Sequence, residues 1–239
     1  MKILILIPLW KRPEVVEIVY RNLKLFCRKV KWEIEVLAIL CPDDPKLKEL
    51  EGLCSEYNIF MCYFKNQPLG RKMNAGINYA LKKFKFDYLM NFGSDDLIHP
   101  RIELLYKKAF KNNVPVFGID SLFFYDLISK KTFYFKTYTY RGMVVGAGRM
   151  IHRDVLELMK KKNIDLYEDE IERSCDGNSS ERMKLWLKIP NTVINSGEFP
   201  YIVDIKTNTN INHITHIELN NQTQIEYFPD DYLNKYFKL

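Results

Sequence analysis

The sequence predicts an α/β protein in which a mostly parallel central sheet is flanked by helices. Short aliphatic runs, such as residues 2–8 and 34–40, show no polar alternation, which is typical of strands buried on both faces. Segments with apolar residues at helical spacing lie between these runs, and this is the pattern of repeated strand–helix units. A length of 239 residues allows one large domain of this type or two small ones.

The first half of the chain contains four predicted strand–helix units in succession. The predicted strands are residues 2–8, 34–40, 59–64 and 88–92, and the predicted helices are residues 13–27, 46–57, 71–84 and 101–111. Ligands of open parallel sheets bind at the carboxyl ends of the strands. The polar loops at residues 9–12, 42–45 and 93–96 are therefore the expected binding edge.

Beyond residue 118 the pattern changes to aromatic and β-branched residues. Residues 122–128 and 132–140 flank a polar turn and predict an antiparallel hairpin. The remaining predicted elements are helices at residues 154–162 and 179–187 and strands near Thr192 and Ile202. Because no repeat or linker appears, we predict a single domain over residues 1–239.

Composition excludes several classes of protein. Hydrophobic residues make up 47% of the chain and charged residues 28%, and no apolar run approaches the roughly 18 residues that cross a bilayer. Residues 1–9 are too short for a signal peptide and lack a cleavage site. The five cysteines form no C-x-x-C pair, which argues against a disulfide framework or a zinc cluster. We therefore expect a cytoplasmic protein.

The formal net charge of +6 raises the question of an anionic partner. The lysines are scattered at predicted helix ends and turns, where they complement the helix dipole or face water. Nucleic acid is therefore not the expected partner. Peripheral contact with the anionic inner face of a membrane stays open, because the same charges would serve it without an anchor.

The most informative segment is residues 86–96, where an apolar strand ends on the adjacent carboxylates of Asp95 and Asp96. Mg²⁺ and Mn²⁺ prefer oxygen ligands and usually take one or two protein carboxylates together with phosphate oxygens. The pair thus indicates a cation that holds a nucleotide diphosphate. The first strand is not followed by G-x-G-x-x-G, so a glycine-rich helix start is not available for that task. The alternative is that both residues cap the helix beginning near Pro100.

Several motifs, in matching order, resemble the GT-A glycosyltransferases and, within them, the inverting family 2. Residues 5–12 (ILIPLWKR) resemble the family's opening strand and nucleotide loop, and residues 69–80 (LGRKMNAGINYA) its G-x-x-x-N-x-G helix start. Asp95 and Asp96 stand at the place of the metal-binding D-x-D, although Gly93 replaces its first aspartate. Residues 146–153 resemble the glycine loop before the acceptor-side helix.

The resemblance implies a GT-A fold with a nucleotide-sugar-binding half at residues 1–120 and a partly antiparallel acceptor-side half with a C-terminal tail at residues 121–239. It also implies a metal-dependent transfer, with inversion, of a sugar from a nucleotide-diphosphate donor to a hydroxyl. The implied acceptor is a glycan, a lipid-linked saccharide or a surface component. The implied cofactor is Mn²⁺ or Mg²⁺, with Asp95 and Asp96 as ligands.

An inverting transfer is a single in-line displacement that needs one carboxylate base, and two sites compete for this role. Glu168 and Asp169 match the family's Glu-Asp dipeptide literally. Asp176 matches in its spacing to Arg182 and lies where a helix N-terminus is expected. We favour Asp176 as the base and keep Asp169 as the alternative. The plain interpretation of Asp176 is a helix cap.

Candidates for donor binding come from the polar loops and from the helix start. An indole can stack on a flat ring, and a guanidinium can meet a phosphate at two points. The candidates are Pro8, Trp10, Arg12, Asp43, Arg71 and Asn74. The plain interpretation of each is an exposed ring, a solvated charge or an ordinary helix-start residue. Because GT-A enzymes often place a late histidine beside the diphosphate or the metal, we add His213 to the metal site in preference to His216.

Three other functions stay open. A catalytically silent nucleotide-sugar binder would explain Gly93 and the ambiguous Glu-Asp motif. A sugar nucleotidyltransferase would need a glycine-rich loop near the N-terminus, which residues 9–12 do not provide. A basic nucleic-acid protein would show steep salt dependence of binding. The donor base, the sugar and the oligomeric state are not predicted.

Overall fold

The computed structural model describes residues 1–135, 144–172, 175–208, 225–229 and 232–237, without the side chains of residues 176 and 225. The strands in these ranges are β1 (Lys2–Pro8), β2 (Glu33–Leu40), β3 (Phe60–Tyr63), β4 (Tyr88–Asn91), β5 (Asp96–Ile98), β6 (Val116–Ile119), β7 (Leu122–Asp126), β8 (Thr132–Phe135), β9 (Met150–His152), β10 (Thr192–Ile194), β11 (Ile202–Lys206) and β12 (Ile225–Phe228). The α-helices are α1 (Pro13–Lys29), α2 (Leu47–Glu56), α3 (Leu69–Lys83), α4 (Ile102–Lys111), α5 (Arg153–Lys161) and α6 (Cys175–Leu187). A 3₁₀ helix spans Tyr232–Lys235.

The central sheet has seven strands in the order β10-β6-β9-β4-β1-β2-β3. Strand β1, between β4 and β2, is parallel to both neighbours, with Leu6 opposite Leu37 on β2 and opposite Asn91 on β4. Strand β9 is the exception, because it runs antiparallel to β4 and to β6. The predicted mostly parallel sheet is confirmed, and its parallel strands end at one shared edge.

A second sheet of five strands has the order β12-β8-β7-β11-β5. Strands β7 and β8 form the predicted antiparallel hairpin, although residues 136–140 of its second predicted strand lie outside the described residues. Strand β11 is parallel to β7 and antiparallel to β5. Strand β5 lies between β4 and α4 in the chain and therefore links the fourth strand–helix unit to the second sheet.

Helices cover both faces of the central sheet, because successive side chains of a strand point to opposite sides. Ile3, Ile5 and Ile7 belong to a core that includes the apolar faces of α1, α2 and α4. Leu4 and Leu6 belong to a second core with α3 and α5. None of the helices within the described ranges combines the length and apolar character needed to span a membrane.

The structure differs from the sequence prediction mainly in its shortest elements. Strands β5, β6 and β9, of three to four residues each, were not predicted. The interpretation of Asp95 and Asp96 as helix caps is wrong: α4 begins at Ile102, and its N-cap residue Arg101 makes no side-chain cap. Helix α6 begins at Cys175 rather than at the predicted residue 179.

Helix α3 begins in close contact with the segment around residues 168–171. The Gly70 N–H donates to the Ile171 carbonyl at 2.9 Å. A Cβ placed on Gly70 would lie 2.0 Å from the Glu168 carbonyl oxygen. Only a glycine therefore allows this backbone approach.

We predict that Gly70→Ala lowers the free energy of unfolding by roughly 1–3 kcal/mol, the usual cost of an overpacked site. The matched control is Gly52→Ala in the exposed middle of α2, where no atom lies within 4 Å of the added Cβ. That change should stabilise the protein by about 0.5–1 kcal/mol, because alanine favours the helix over glycine. Urea unfolding of both variants measures the difference, and equal effects would contradict the close approach.

Candidate functional site

A cleft of about 840 Å³ opens at the carboxyl ends of β1 and β4. Its lining comes from the polar loops after these strands, from the loop before α3, and from the end of β11. The lining positions are residues 8, 10–14, 45–46, 66–67, 69, 93–95, 172, 204 and 206. The cleft thus lies at the sheet edge at which the sequence predicts ligand binding.

The loop between β1 and α1 has an unusual backbone that its neighbours hold in place. Lys11 and Arg12 have φ angles of 56° and 54°, in the left-handed region that non-glycine residues seldom adopt. The Lys11 N–H donates to Asp44 Oδ2 at 2.7 Å, and the other oxygen of Asp44 accepts from the Lys46 N–H at 2.8 Å. Asp44 is buried and therefore ties the β1–α1 loop to the β2–α2 loop.

Lys72 on α3 also holds the β1–α1 loop in place. Its side chain is fully buried, and its ammonium donates to the Leu9 carbonyl at 2.6 Å and to Asn66 Oδ1 at 3.0 Å. Burial lowers the pKa of Lys72 to about 8. A buried lysine on α3 thus fixes the backbone just before Trp10, and the sequence analysis had not assigned it a role.

Arg12 joins the first loop to the loop that follows β4. Its Nη1 lies 3.2 Å from Asp95 Oδ2, and its Nη2 donates to Ser94 Oγ at 2.9 Å. The ion pair is largely shielded, with Arg12 15% and Asp95 21% exposed. Arg12 is therefore fixed at the cleft wall with its guanidinium beside a carboxylate.

Three carboxylates meet beside Arg12 and form what we term the acidic cluster, Asp95, Asp96 and Asp204. Asp96 on β5 lies directly opposite Asp204 on β11 in the antiparallel register. One carboxylate oxygen from each of the three residues lies within 4.8 Å of the other two. Asp204 Oδ1 is buried and accepts no hydrogen bond from any described residue. Three converging oxygens of this kind suit a hard divalent cation such as Mg²⁺ or Mn²⁺.

The acidic cluster is difficult to ionise fully. Burial raises the pKa of Asp96 well above its ordinary value, and the nearby Asp204 and Asp95 add to the shift. Burial also raises the pKa of Asp204 to about 7, against the attraction of Lys206, whose ammonium lies 2.7 Å from Asp204 Oδ2. Burial alone would lower the pKa of Lys206, but the attraction of Asp204 and Asp95 outweighs burial and raises it. Bound protons or cations must therefore balance the charge of the cluster.

Gly93 packs against two carboxylates of the acidic cluster, those of Asp95 and Asp96. Its N–H donates to Asp96 Oδ2 at 2.5 Å. A Cβ on Gly93 would lie 2.7 Å from Asp96 Oδ2 and 2.8 Å from Asp95 Oδ1. The first aspartate of a D-x-D motif therefore has no room here, and Asp204 on a distant strand brings a third carboxylate instead.

The structure brings only part of the predicted site to the cleft. Pro8, Trp10 and Arg12 line it together with Asp95, and Asp96 lies in the acidic cluster. The other predicted residues either do not line the cleft or lie outside the described residues.

Asp43 is exposed and does not line the cleft. Arg71 forms ion pairs with Asp169 and Glu170. Asn74 is buried and exchanges two hydrogen bonds with the backbone of Tyr167. Neither residue of α3 is among those that line the cleft.

The predicted base and histidine lie partly outside the described residues. The backbone of Asp176 occupies the second position of α6, close to the helix N-terminus that the sequence predicts, but its side chain is not described. His213 and the less favoured His216 lie outside the described residues. Asp169, the alternative base, accepts from the Asn74 amide at 3.2 Å and pairs with Arg71.

Sequence analysis missed Asp204, Lys206 and Glu172, which all line the cleft. The only local indication of the first two is a pair of charged residues, two positions apart, in the otherwise apolar run of β11. Glu172 follows the Glu168–Asp169 motif by a few residues and brings a further carboxylate to the cleft.

The mostly parallel sheet flanked by helices is the architecture that the resemblance to GT-A proteins implies, and the cleft and the acidic cluster lie at its carboxyl edge. The sequence of this protein matches no protein-family model and no curated protein. Solved glycosyltransferase structures share its fold, as the two comparisons below show.

TarS 1–349 of S. aureus in complex with UDP-GlcNAc aligns with a TM-score of 0.56 at 18% identity, over 88% of this chain and 60% of that chain. The mannosyltransferase PcManGT from Pyrobaculum calidifontis, in complex with GDP-Man and Mn²⁺, aligns with a TM-score of 0.54 at 10% identity, over 85% and 56%. The present chain thus spans less than two thirds of each of these proteins. The predicted GT-A fold is confirmed by this likeness.

We predict that the metal-free protein loses stability as the pH rises from about 5 to about 8, because the folded state holds protons on Asp96 and Asp204 that the unfolded chain releases near pH 4. Because these pKa values are raised in the folded state, the stabilisation is fully present below the pKa of the unfolded chain. It is lost as the pH rises through the folded-state pKa, which for Asp204 is about 7. Urea unfolding in EDTA across this range measures the profile.

Two variants test the origin of this profile. Asp204→Asn should flatten it, and Asp165→Asn, at an exposed position away from the cleft, should leave it unchanged. An Asp204→Asn profile parallel to that of the unaltered protein would contradict protonation of the cluster.

Proposed function

We propose that this protein is a metal-dependent inverting glycosyltransferase that moves a sugar from a nucleotide-diphosphate donor to a hydroxyl. The observation that carries the proposal is the cleft itself. It joins an aromatic and cationic loop to an acidic cluster on the fold of glycosyltransferases solved with UDP-GlcNAc and with GDP-Man. No such arrangement is needed for a structural protein, and like charges are costly to bring together without a ligand.

The charges in the cleft favour a donor that binds together with a divalent cation. The acidic cluster carries up to three negative charges, and Arg12 and Lys206 supply two positive ones. A diphosphate would add further negative charge beside the cluster, which only a cation can offset in a partly buried site. Mn²⁺ or Mg²⁺, when bound, stabilises negative charge on the departing phosphate oxygen. Asp95, Asp96 and Asp204 would hold the ion.

The chain's own residues orient the donor. Trp10 offers a partly exposed ring to the flat parts of the donor, and Arg12 offers a guanidinium to its phosphates. Lys72 and Asp44 fix the loop on which both side chains stand. The donor is therefore held on a rigid wall, which is what an in-line displacement requires.

Asp176 is the proposed base. A carboxylate near the N-terminus of α6 would take the proton of the acceptor hydroxyl as its oxygen attacks the anomeric carbon and the diphosphate leaves on the opposite side. Asp169 is less suited, because it is engaged by Arg71 and Asn74. Glu172 lines the cleft and is the second choice.

The acceptor is proposed to be a growing glycan, a lipid-linked saccharide or a surface component. The proposed location is the cytoplasm, where basic side chains allow peripheral contact with an anionic membrane face. Residues 1–120 are proposed to supply most of the donor site, together with Asp204 and Lys206 of β11, and the rest of residues 121–239 is proposed to bind the acceptor.

We predict that Mn²⁺ and a matching nucleotide sugar stabilise the protein together. In a panel of nucleotide sugars with and without Mn²⁺, a donor at about 100 times its Kd adds about 2.7 kcal/mol to the free energy of unfolding. Asp204→Asn should abolish the Mn²⁺-dependent part, whereas the exposed control Asp165→Asn should retain it. Binding without release of nucleoside diphosphate, in the presence of acceptor, would indicate a silent binder.

We predict that Asp176→Asn lowers kcat at least about 100-fold, the usual contribution of general base catalysis, while donor affinity stays within a few fold. Glu172→Gln and Asp169→Asn should retain most of kcat. Release of UDP or GDP in the presence of acceptor measures turnover, and calorimetry measures donor affinity. Full turnover by Asp176→Asn would show that Asp176 is not the base. The base would then be Glu172 or Asp169, whichever loses activity when it is substituted.

A further inference from the structure

Lys206 is a buried lysine at the edge of the cleft. Its side chain is 5% exposed, and its ammonium lies 2.7 Å from Asp204 Oδ2. The ammonium also lies 4.9 Å from the centre of the Phe124 ring on the neighbouring strand β7. In the described part of the chain, its ion pair is with Asp204 alone. The apoprotein therefore holds one carboxylate of the acidic cluster with a cation of its own.

This contact competes with a metal ion. Asp204 offers two oxygens, of which Oδ2 binds Lys206 and Oδ1 is buried without a hydrogen-bond partner in the described residues. A divalent cation within the acidic cluster would come close to the Lys206 ammonium, and the two positive charges would repel each other. Lys206 must then lose part of its attraction to Asp204 or find another anion.

A diphosphate in the cleft is such an anion. Lys206 and Arg12 line the same cavity as Asp95 and Asp204. A lysine side chain has a flexible four-carbon stem and three donors, so it can turn from a carboxylate to a phosphate oxygen without a change in the backbone. The hydrogen bonds that it makes to a charged phosphate are as strong as those to a carboxylate.

We propose that Lys206 changes partner on ligand binding: it neutralises Asp204 in the free protein and turns to the donor diphosphate when a divalent cation takes Asp204. The inference rests on the proposed function, because it requires a diphosphate and a cation in this cleft. Its consequence is that Lys206 suppresses metal binding in the absence of nucleotide. It also strengthens the coupling between the two ligands, since each one removes the contact that opposes the other.

The test is a pair of titrations on the full chain at pH 8. Calorimetry measures the Mn²⁺ affinity of the unaltered protein and of Lys206→Met, each alone and with saturating UDP or GDP as separate probes. Without nucleotide, Lys206→Met should bind Mn²⁺ about tenfold more tightly, because a competing cation is gone. The enhancement of Mn²⁺ affinity by nucleotide should fall by at least about fivefold, the lower end of ordinary coupling between sites.

Two controls separate this role from a structural one. Lys206→Arg keeps the positive charge beside Asp204, so its Mn²⁺ affinity without nucleotide should stay within about threefold of that of the unaltered protein. Lys107→Met removes an exposed lysine of α4 and should change nothing. Unaltered or weakened Mn²⁺ binding by folded Lys206→Met would overturn the proposal. If neither UDP nor GDP binds with or without Mn²⁺, the proposed function fails. The titrations with Mn²⁺ alone still show whether Lys206 competes with the metal ion for Asp204.

A measurement on the unaltered chain keeps the proposal testable if Lys206→Met does not fold. The ¹⁵N resonance of the buried Lys206 ammonium is assigned by its loss in Lys206→Arg. It should move when Mg²⁺ and UDP or GDP are added together, because the hydrogen bond to Asp204 is exchanged for one to phosphate. A resonance that stays in place with both ligands bound would overturn the change of partner.

Discussion

Two carboxyl groups face each other across a pair of antiparallel strands, and the arrangement of the cleft follows from holding them there. Asp96 on β5 lies opposite Asp204 on β11 in a pairing of only three residues per strand. Directly opposed like charges destabilise a strand pair, so nearby groups must compensate. Arg12 does so from the β1–α1 loop through Asp95, and Lys206 does so from β11 itself. Residues far apart in the chain thus converge on one cluster, and the central and second sheets are joined there.

The β1–α1 loop beside the cluster depends on a second set of buried polar contacts. Lys11 and Arg12 adopt a left-handed backbone that costs free energy, and such strain persists only where the surroundings determine it. Asp44 and Lys72 hold the loop in this conformation. Asp44 binds the loop backbone from the β2–α2 loop, and Lys72 binds it from α3. The loop is therefore rigid before a ligand arrives, and less conformational entropy is lost when one binds.

The regular part of this structure could be predicted from sequence because strands buried on both faces are continuous aliphatic runs. The predicted limits of β1, residues 2–8, agree with the structure residue for residue. The cleft could be predicted only where it follows such strands directly, at Pro8, Trp10, Arg12 and Asp95. Asp204 could not, since its place beside Asp96 depends on the register of two short strands, which tertiary pairing sets and local periodicity does not reveal. For the same reason, β9 leaves no pattern in its three residues.

The position of β9 has a consequence for how the chain reaches its final form. This strand follows the hairpin in sequence, yet it joins β4 to β6 within the central sheet. Both neighbours of β6, namely β9 and β10, come later in the chain. A nascent polypeptide that ends near residue 120 would leave the backbone groups of β4 and β6 open to pairing with other chains. The predicted boundary at residue 120 therefore does not delimit an autonomous folding unit. Synthesis must pass residue 152 before β9 can cover β4 and one edge of β6, and residue 194 before β10 can cover the other edge of β6.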